Sequence, residues 1–233
     1  MKHAFLLSLI FILLINTKAL SQNNIGATTE TAKPISINQK ISSLSNACHH
    51  QVDINILKLA LTAYNCAVLS GQNKQSKLTV VDYSKPSEVK RLWVFDLNHD
   101  TLLFNSLVAH GKGSGENFAN YFSDQPQTRA SSLGLFLTGS TYRGHDGYSL
   151  KLFGLEKNFN DKAAYRNIVM HGANYVTDRL AQAGKIGRSW GCPAVPKSMA
   201  EPIIDSIKNG SVLFAYYPNN IWLQKSKYLH CSA

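Results

Sequence analysis

Beyond Gly71 the chain breaks into short apolar or β-branched runs, at residues 78–83, 91–97, 102–110, 133–138, 148–153, 167–171 and 212–217, with Gly, Pro, Asn and Asp between them. Runs of this length with turn residues at their ends predict strands, and seven of them predict a mainly β domain, a β-sandwich or a partly closed barrel. Helical spacing shows in two places. Ile56, Leu57, Ala60, Tyr64, Ala67 and Val68 recur on one face after Asp53, with Gly71 as a stop, which predicts an N-terminal helical segment within residues 46–75 whose role is packing. Residues 198–208 carry the second signature: Ser198 and Glu201 stand at capping-box spacing and Asn209-Gly210 ends the run. Residues 22–45 are rich in Asn, Thr, Ser, Gln and Lys and predict a flexible lead-in, and residues 218–233 form a C-terminal tail.

The first 21 residues add a location. Met1-Lys2-His3, an apolar run over residues 4–15 and the small residues around Ala19 and Ser21 have the three regions of a secretory signal peptide. The run is too short to span a bilayer, so no stable membrane insertion is expected after cleavage, and the mature chain is expected in the periplasm or cell envelope. Formal charge is +10, falling to about +8 once Lys2 and Lys18 leave with the leader. The cations are scattered and no nucleic-acid-binding module is visible, so anionic cell-wall polymers are expected partners and nucleic acid is not.

Four cysteines, Cys48, Cys66, Cys192 and Cys231, would by default make two disulfides in an oxidising compartment. Cys192 argues against that, because it follows Gly191 in Gly187-Arg188-Ser189-Trp190-Gly191-Cys192-Pro193, with Val169-Met170-His171-Gly172 upstream. A catalytic cysteine needs a neighbouring base, most often histidine, and His171 ends a strand-like run where an imidazole can be held at a cleft rim. N–H groups around Gly191 and Cys192 are candidate donors to a tetrahedral oxyanion. If Cys192 is free, Cys231 is expected to pair with Cys48 or Cys66. Three other signals are discounted: the 110–115 stretch lacks the order of a phosphate-binding loop and reads as a flexible loop, Cys48-His49-His50 lacks a second ligand pair for zinc, and His145-Asp146 between glycines reads as a solvent-facing turn.

His171-Gly172 together with Arg188-Ser189-Trp190-Gly191-Cys192-Pro193-Ala194 resembles the active-site signature of the YkuD-like L,D-transpeptidases, in the branch described as a murein L,D-transpeptidase catalytic domain. The likeness continues through Val108 to Gly115, Ser131-Ser132-Leu133-Gly134 and Gly147 to Leu155, and covers residues 76–217. It implies a β-rich catalytic domain in which Cys192 is the nucleophile and His171 its base, Gly172 orients the imidazole, and Ser189 and Gly191 shape the oxyanion pocket. The implied reaction takes peptidoglycan stem peptides through a cysteine thioester to 3→3 cross-links, without metal or organic cofactor, and the implied inhibitors are carbapenems. Arg188, Trp190, Tyr142 and Arg143 are the candidate substrate-binding residues, with Arg166 and Arg179 as further candidates to clamp a carboxylate.

Two departures keep the outcome open. The better-known branch has His or Arg where this chain has Trp190, and a polar residue shortly after the cysteine where it has Pro193-Ala194. The alternatives are an L,D-carboxypeptidase or endopeptidase using the same cysteine, and a non-catalytic wall-binding protein with Cys192 in a disulfide.

Overall fold

A computed structural model describes residues 32–231. The signal peptide expected over residues 1–21 and the start of the lead-in lie outside the described residues. Among those described, no helix is long and apolar enough to cross a membrane.

Eight strands form one sheet: β1 (Lys77–Asp82), β2 (Leu92–Asp96), β3 (Thr101–Ser106), β4 (Gly134–Gly144), β5 (Gly147–Gly154), β6 (Val169–Ala173), β7 (Ala194–Pro196) and β8 (Val212–Tyr216). Their order is β3-β2-β1-β8-β4-β5-β6-β7. The two edges meet: past β3 the chain bends so that the Ala109 N–H donates to the Ala194 carbonyl at 2.8 Å, bridging to β7. The result is a nearly closed, barrel-like sheet rather than a two-layer sandwich. Among the described residues five α-helices accompany it: α1 (Ile37–Ala47), α2 (Ile54–Leu69), α3 (Asp178–Gln182), α4 (Lys197–Ile207) and α5 (Asn220–Lys225). Because α4 touches β1 as well as β5, β6 and β7, the sheet must curl around it, and α4 fills the concavity with Ala200, Ile203, Ile204 and Ile207. α2 packs on β1 and β8. With helices on two sides, β1 and β2 are buried along almost their whole length, which is why they read as unbroken apolar runs.

Several elements differ from expectation for identifiable reasons. Ile37, Ile41 and Leu44 give α1 one narrow apolar stripe within the polar lead-in, and α1 forms against α2 and β3. α2 begins where expected, with the Asp53 carboxylate accepting from the Asn55 N–H at 2.7 Å. Helix α4 starts one residue early, capped by Pro196 with no side-chain cap bond, so Ser198 and Glu201 make no capping box. The 102–110 run stops being a strand at Ser106 and crosses to the opposite edge. β7, three residues that follow Pro193 and end on Pro196, carries no periodicity to read.

The tail is built into the fold. Trp222 of α5 is fully buried and its indole N–H donates to the Glu156 carboxylate at 3.0 Å, while Glu156 also accepts from the Leu135 N–H at 2.7 Å. Cys66 and Cys231 form a disulfide, which resolves the open pairing, and Cys48 and Cys192 are free. The bridge closes a loop of 165 residues. In the chain-entropy view such a loop contributes about 5 kcal/mol, so Cys231→Ser is expected to lower the unfolding free energy by most of that amount, read as a lower urea midpoint. An unchanged midpoint would show that the tail is held without the bridge.

Candidate functional site

Cys192 lies between a glycine turn and β7, and the sheet register brings it to His171. β6 pairs parallel with β7, His171 opposite Ala194 and Gly172 opposite Val195. Continued back by two residues, that register sets Cys192 beside Val169, and the Val169 N–H lies 3.4 Å from Sγ. Sγ also points at the Asn167 carbonyl, 3.7 Å away. Both side chains line one cleft of about 440 Å³, together with His145, Asp146, Arg166, Asn167, Tyr175, Arg188, Ser189 and Trp190.

His171 is 5% exposed and its Nδ1 stands 3.2 Å from the Gly172 carbonyl oxygen. A carbonyl only accepts, so the proton of the neutral ring sits on Nδ1 and Nε2 is left bare. Gly172 has a second duty. A Cβ there would come within 2.9 Å of the Ala200 Cβ and 3.1 Å of the Lys197 Cα, so glycine lets α4 lie close on the strand that carries His171.

The turn itself is held by main chain packed on main chain. Gly191 has φ +120, and a Cβ on Gly111 would fall 2.7 Å from the Gly191 Cα and 2.3 Å from the Arg129 carbonyl oxygen. The Ser189 N–H donates to the His110 carbonyl at 3.0 Å and the Lys112 N–H to the Ser189 carbonyl at 2.8 Å. Ser131 Oγ accepts from the Gly111 N–H at 3.0 Å and donates to the Gly191 carbonyl at 3.1 Å. Stretches 110–115 and 130–132 are therefore the cradle of the cysteine turn, and residues 110–115 are not the flexible loop expected of them. Behind the cradle, buried Arg91 donates to His110 Nδ1 at 2.8 Å, which directs His110 Nε2–H to the Gly115 carbonyl at 3.3 Å. Burial first, and Arg91 second, push the His110 pKa down to about 4, so this histidine is a neutral strut.

The oxyanion assignment needs correction at one atom. The Gly191 N–H donates to Ser189 Oγ at 3.1 Å, and that hydroxyl donates to the Cys192 carbonyl at 2.6 Å. Ser189 thus staples the turn and occupies the Gly191 N–H, which is not a free donor. The Cys192 N–H has no protein acceptor among the described residues.

The expected substrate-binding residues divide. Trp190 and Arg188 line the cleft, but Arg188 is already paired with Glu116 and donates to the Gly115 carbonyl at 3.3 Å. Tyr142 is on β4 and faces an adjoining groove with Lys151 and Phe153. Arg143 is turned away, 3.7 Å from Glu201 and stacked over Tyr148, so it lines no wall of the cysteine cleft. Arg166 clamps the protein instead of a ligand: its guanidinium donates to the Ser123 and Ala130 carbonyls and to Ser132 Oγ at 2.6–2.7 Å. Sequence reasoning set aside His145 and Asp146, yet the β4–β5 turn carries both into the cleft. Tyr175, whose side chain packs against Gly187 and whose carbonyl accepts from the Gly187 N–H at 2.9 Å, was also missed; the nearest signal is its place four residues after His171.

Burial pushes the Cys192 thiol up to about 11; the Val169 N–H and Arg166 oppose this, and Asp146 adds to it. The resting sulfur is therefore protonated at neutral pH. Alkylation of Cys192 in the free protein is expected to rise about tenfold per pH unit from about pH 7 to 10. A plateau below pH 8 would reveal a thiolate–imidazolium pair already formed. Gly111→Ala is expected to cost about 1–3 kcal/mol in urea unfolding, because the clash is with backbone that cannot swing aside. No loss of stability would mean that the two segments are not tightly apposed.

The profile for the L,D-transpeptidase catalytic domain matches residues 48–216. Among solved structures, an L,D-transpeptidase from Mycobacterium smegmatis is similar at 12% identity and TM-score 0.39, over 61% of this chain and 59% of that one. One from Mycobacterium tuberculosis has 13% identity and TM-score 0.34, over 61% and 62%, and one from Stackebrandtia nassauensis 13% and 0.37, over 77% of each. The chain spans about 60% of the length of the first of these structures. None of the curated proteins compared gives a significant match. The assignment rests on the profile, which spans well over half the sequence, and by it this chain belongs to the family of L,D-transpeptidase catalytic domains.

Proposed function

We propose that the chain is an exported L,D-transpeptidase that joins peptidoglycan stem peptides through a Cys192 thioester. The observation that carries the reading is one cleft lined by a free cysteine, two residues before β7, and a histidine on the parallel neighbour β6, with the imidazole's bare nitrogen set by the Gly172 carbonyl. In this reading Sγ attacks the carbonyl carbon of the third stem residue while His171 Nε2 takes the thiol proton. The oxyanion is received by the Cys192 N–H, the donor that Ser189 leaves free. Collapse breaks the amide bond, His171 returns its proton to the departing D-alanine amine, and a thioester remains. An amine on a second stem then attacks the thioester, loses its proton to His171 and releases the sulfur as thiol, leaving a 3→3 cross-link.

The electrostatics suit such a sequence. A thiol held neutral at rest avoids placing an unpaired thiolate in a desolvated cleft, and two half-reactions share one base. Export is supported by the leader-like first 21 residues and by the Cys66–Cys231 disulfide, since structural disulfides persist in oxidising compartments.

Whole-protein mass spectrometry after carbapenem treatment is expected to show one covalent adduct, absent in Cys192→Ala and formed on the order of 100-fold more slowly in His171→Ala. Cys192→Ser is expected to be nearly inactive, because a hydroxyl is far harder to ionise than a thiol under the same base. With muropeptide substrates, cross-linked dimers are the expected product. Shortened monomers alone would make the enzyme a hydrolase, and adducts retained in Cys192→Ala would refute the assignment of the nucleophile.

A further inference from the structure

A second groove of about 880 Å³ opens beside the cysteine cleft, between Pro126, Gln127, Arg129, Tyr165, Arg166 and Trp190. It shares Arg166 and Trp190 with that cleft, so the two are continuous. Tyr165 and Trp190, 78% and 70% exposed, are the two most exposed large apolar side chains among the described residues. Single exposed apolar residues are ordinary; two broad aromatic rings lining one groove next to a catalytic cleft mark a binding surface.

The loop opposite is built to present a cation to one of these rings. The Arg129 guanidinium lies 4.6 Å over the Trp190 ring. Arg129 and Gln127 have φ 54 and 64, left-handed values that non-glycine residues seldom adopt and that persist only where the surroundings impose them. Here the surroundings do: Arg166, with its side chain 4% exposed, pins Ser123, Ala130 and Ser132 on either side, and the Gly113 N–H holds the Arg129 carbonyl at 2.9 Å. The groove is therefore preformed.

Its chemistry is two flat rings, a guanidinium and a carboxamide, with no carboxylate in the lining. Extended sugars fit such a surface: the C–H face of a pyranose is apolar and stacks on an aromatic ring, while its hydroxyl and N-acetyl oxygens accept from Arg129 and Gln127. Carboxylate-bearing peptide has a better host at the other end of the cleft, where a groove that shares Arg188 is lined by Lys112 and Lys185 and its one carboxylate, Glu116, is paired with Arg188. We propose that the Trp190, Tyr165 and Arg129 groove binds saccharide, a run of N-acetylated hexosamines carrying the stem. The assignment rests on the stem-peptide reading above. Three residues separate such a sugar from the attacked carbonyl, at most about 10 Å of chain, and the groove begins at Trp190, two positions before the nucleophile.

The test uses the full chain with Cys192→Ala and a peptide-free N-acetylglucosamine tetramer, titrated by NMR. Saturable binding is expected, weakened about tenfold by Tyr165→Ala and retained by Tyr165→Phe, which keeps the ring. On the active enzyme, Tyr165→Ala is expected to raise KM for a disaccharide-linked tetrapeptide by a similar factor and to leave KM and kcat for the sugar-free tetrapeptide unchanged. No saturable binding of the tetramer would overturn the proposal, and so would an equal rise in KM for the sugar-free peptide, which would make the groove a peptide site. The titration needs no turnover, so failure of the stems as substrates would count against the reaction and not against the groove.

Discussion

Two glycines in backbone contact decide where Cys192 sits. Gly111 lies so close to Gly191 and the Arg129 carbonyl that it has no room for a methyl group, Gly191 is closed off in turn by the Ala130 carbonyl and Ile168, and Ser131 bonds to both glycine segments. Main-chain atoms have no rotamers to change, so a turn held this way has one position. The same apposition joins the sheet's edges, because the stretch leading to Gly111 is the one whose Ala109 bridges to Ala194 on β7. Barrel closure and placement of Cys192 are thus a single event.

Around this contact the protein buries three basic groups and gives each a different use. Arg91 spends its donors on the Val108 and Lys85 carbonyls and on His110, and burial lowers its pKa to about 10. His110, robbed of its proton, becomes a spacer with a fixed tautomer. Arg166 stays near the sulfur as a cation but is committed to carbonyls, so its pull on the thiol is weaker than the effect of removing water. A thiol in such a setting favours attack with simultaneous proton loss over a standing ion pair.

The cysteine and histidine that share the cleft were legible in the sequence because their signals are local: a glycine before a cysteine, a histidine at the end of a β-branched run. The strand pattern was legible for the same reason, since β1, β2, β4, β5, β6 and β8 each carry their own apolar residues. What stayed hidden depends on partners remote in sequence. β7 is a strand only because β6 and Ala109 flank it. The Gly191 N–H reads as an oxyanion donor until Ser189 is seen to occupy it. Arg143 and Arg166 look alike on paper, yet one stacks on a surface tyrosine and the other is sunk among carbonyls. His145 and Asp146 read as a solvent turn, and the length of the β4–β5 hairpin carries them to the cysteine.

The buried tail changes what counts as the unit of folding. Family likeness ends at residue 216, but the indole that satisfies the Glu156 carboxylate and the sulfur that completes Cys66 both come later in the chain. Burial already raises the Glu156 pKa, and without Trp222 that carboxylate would keep its place with one donor fewer. A gene trimmed to the homologous stretch would thus encode Cys192 and His171 with an unpaired thiol on α2 and an open slot beside Phe214 and Tyr216 of β8. The evolutionary module and the smallest piece able to stand by itself are different lengths of chain.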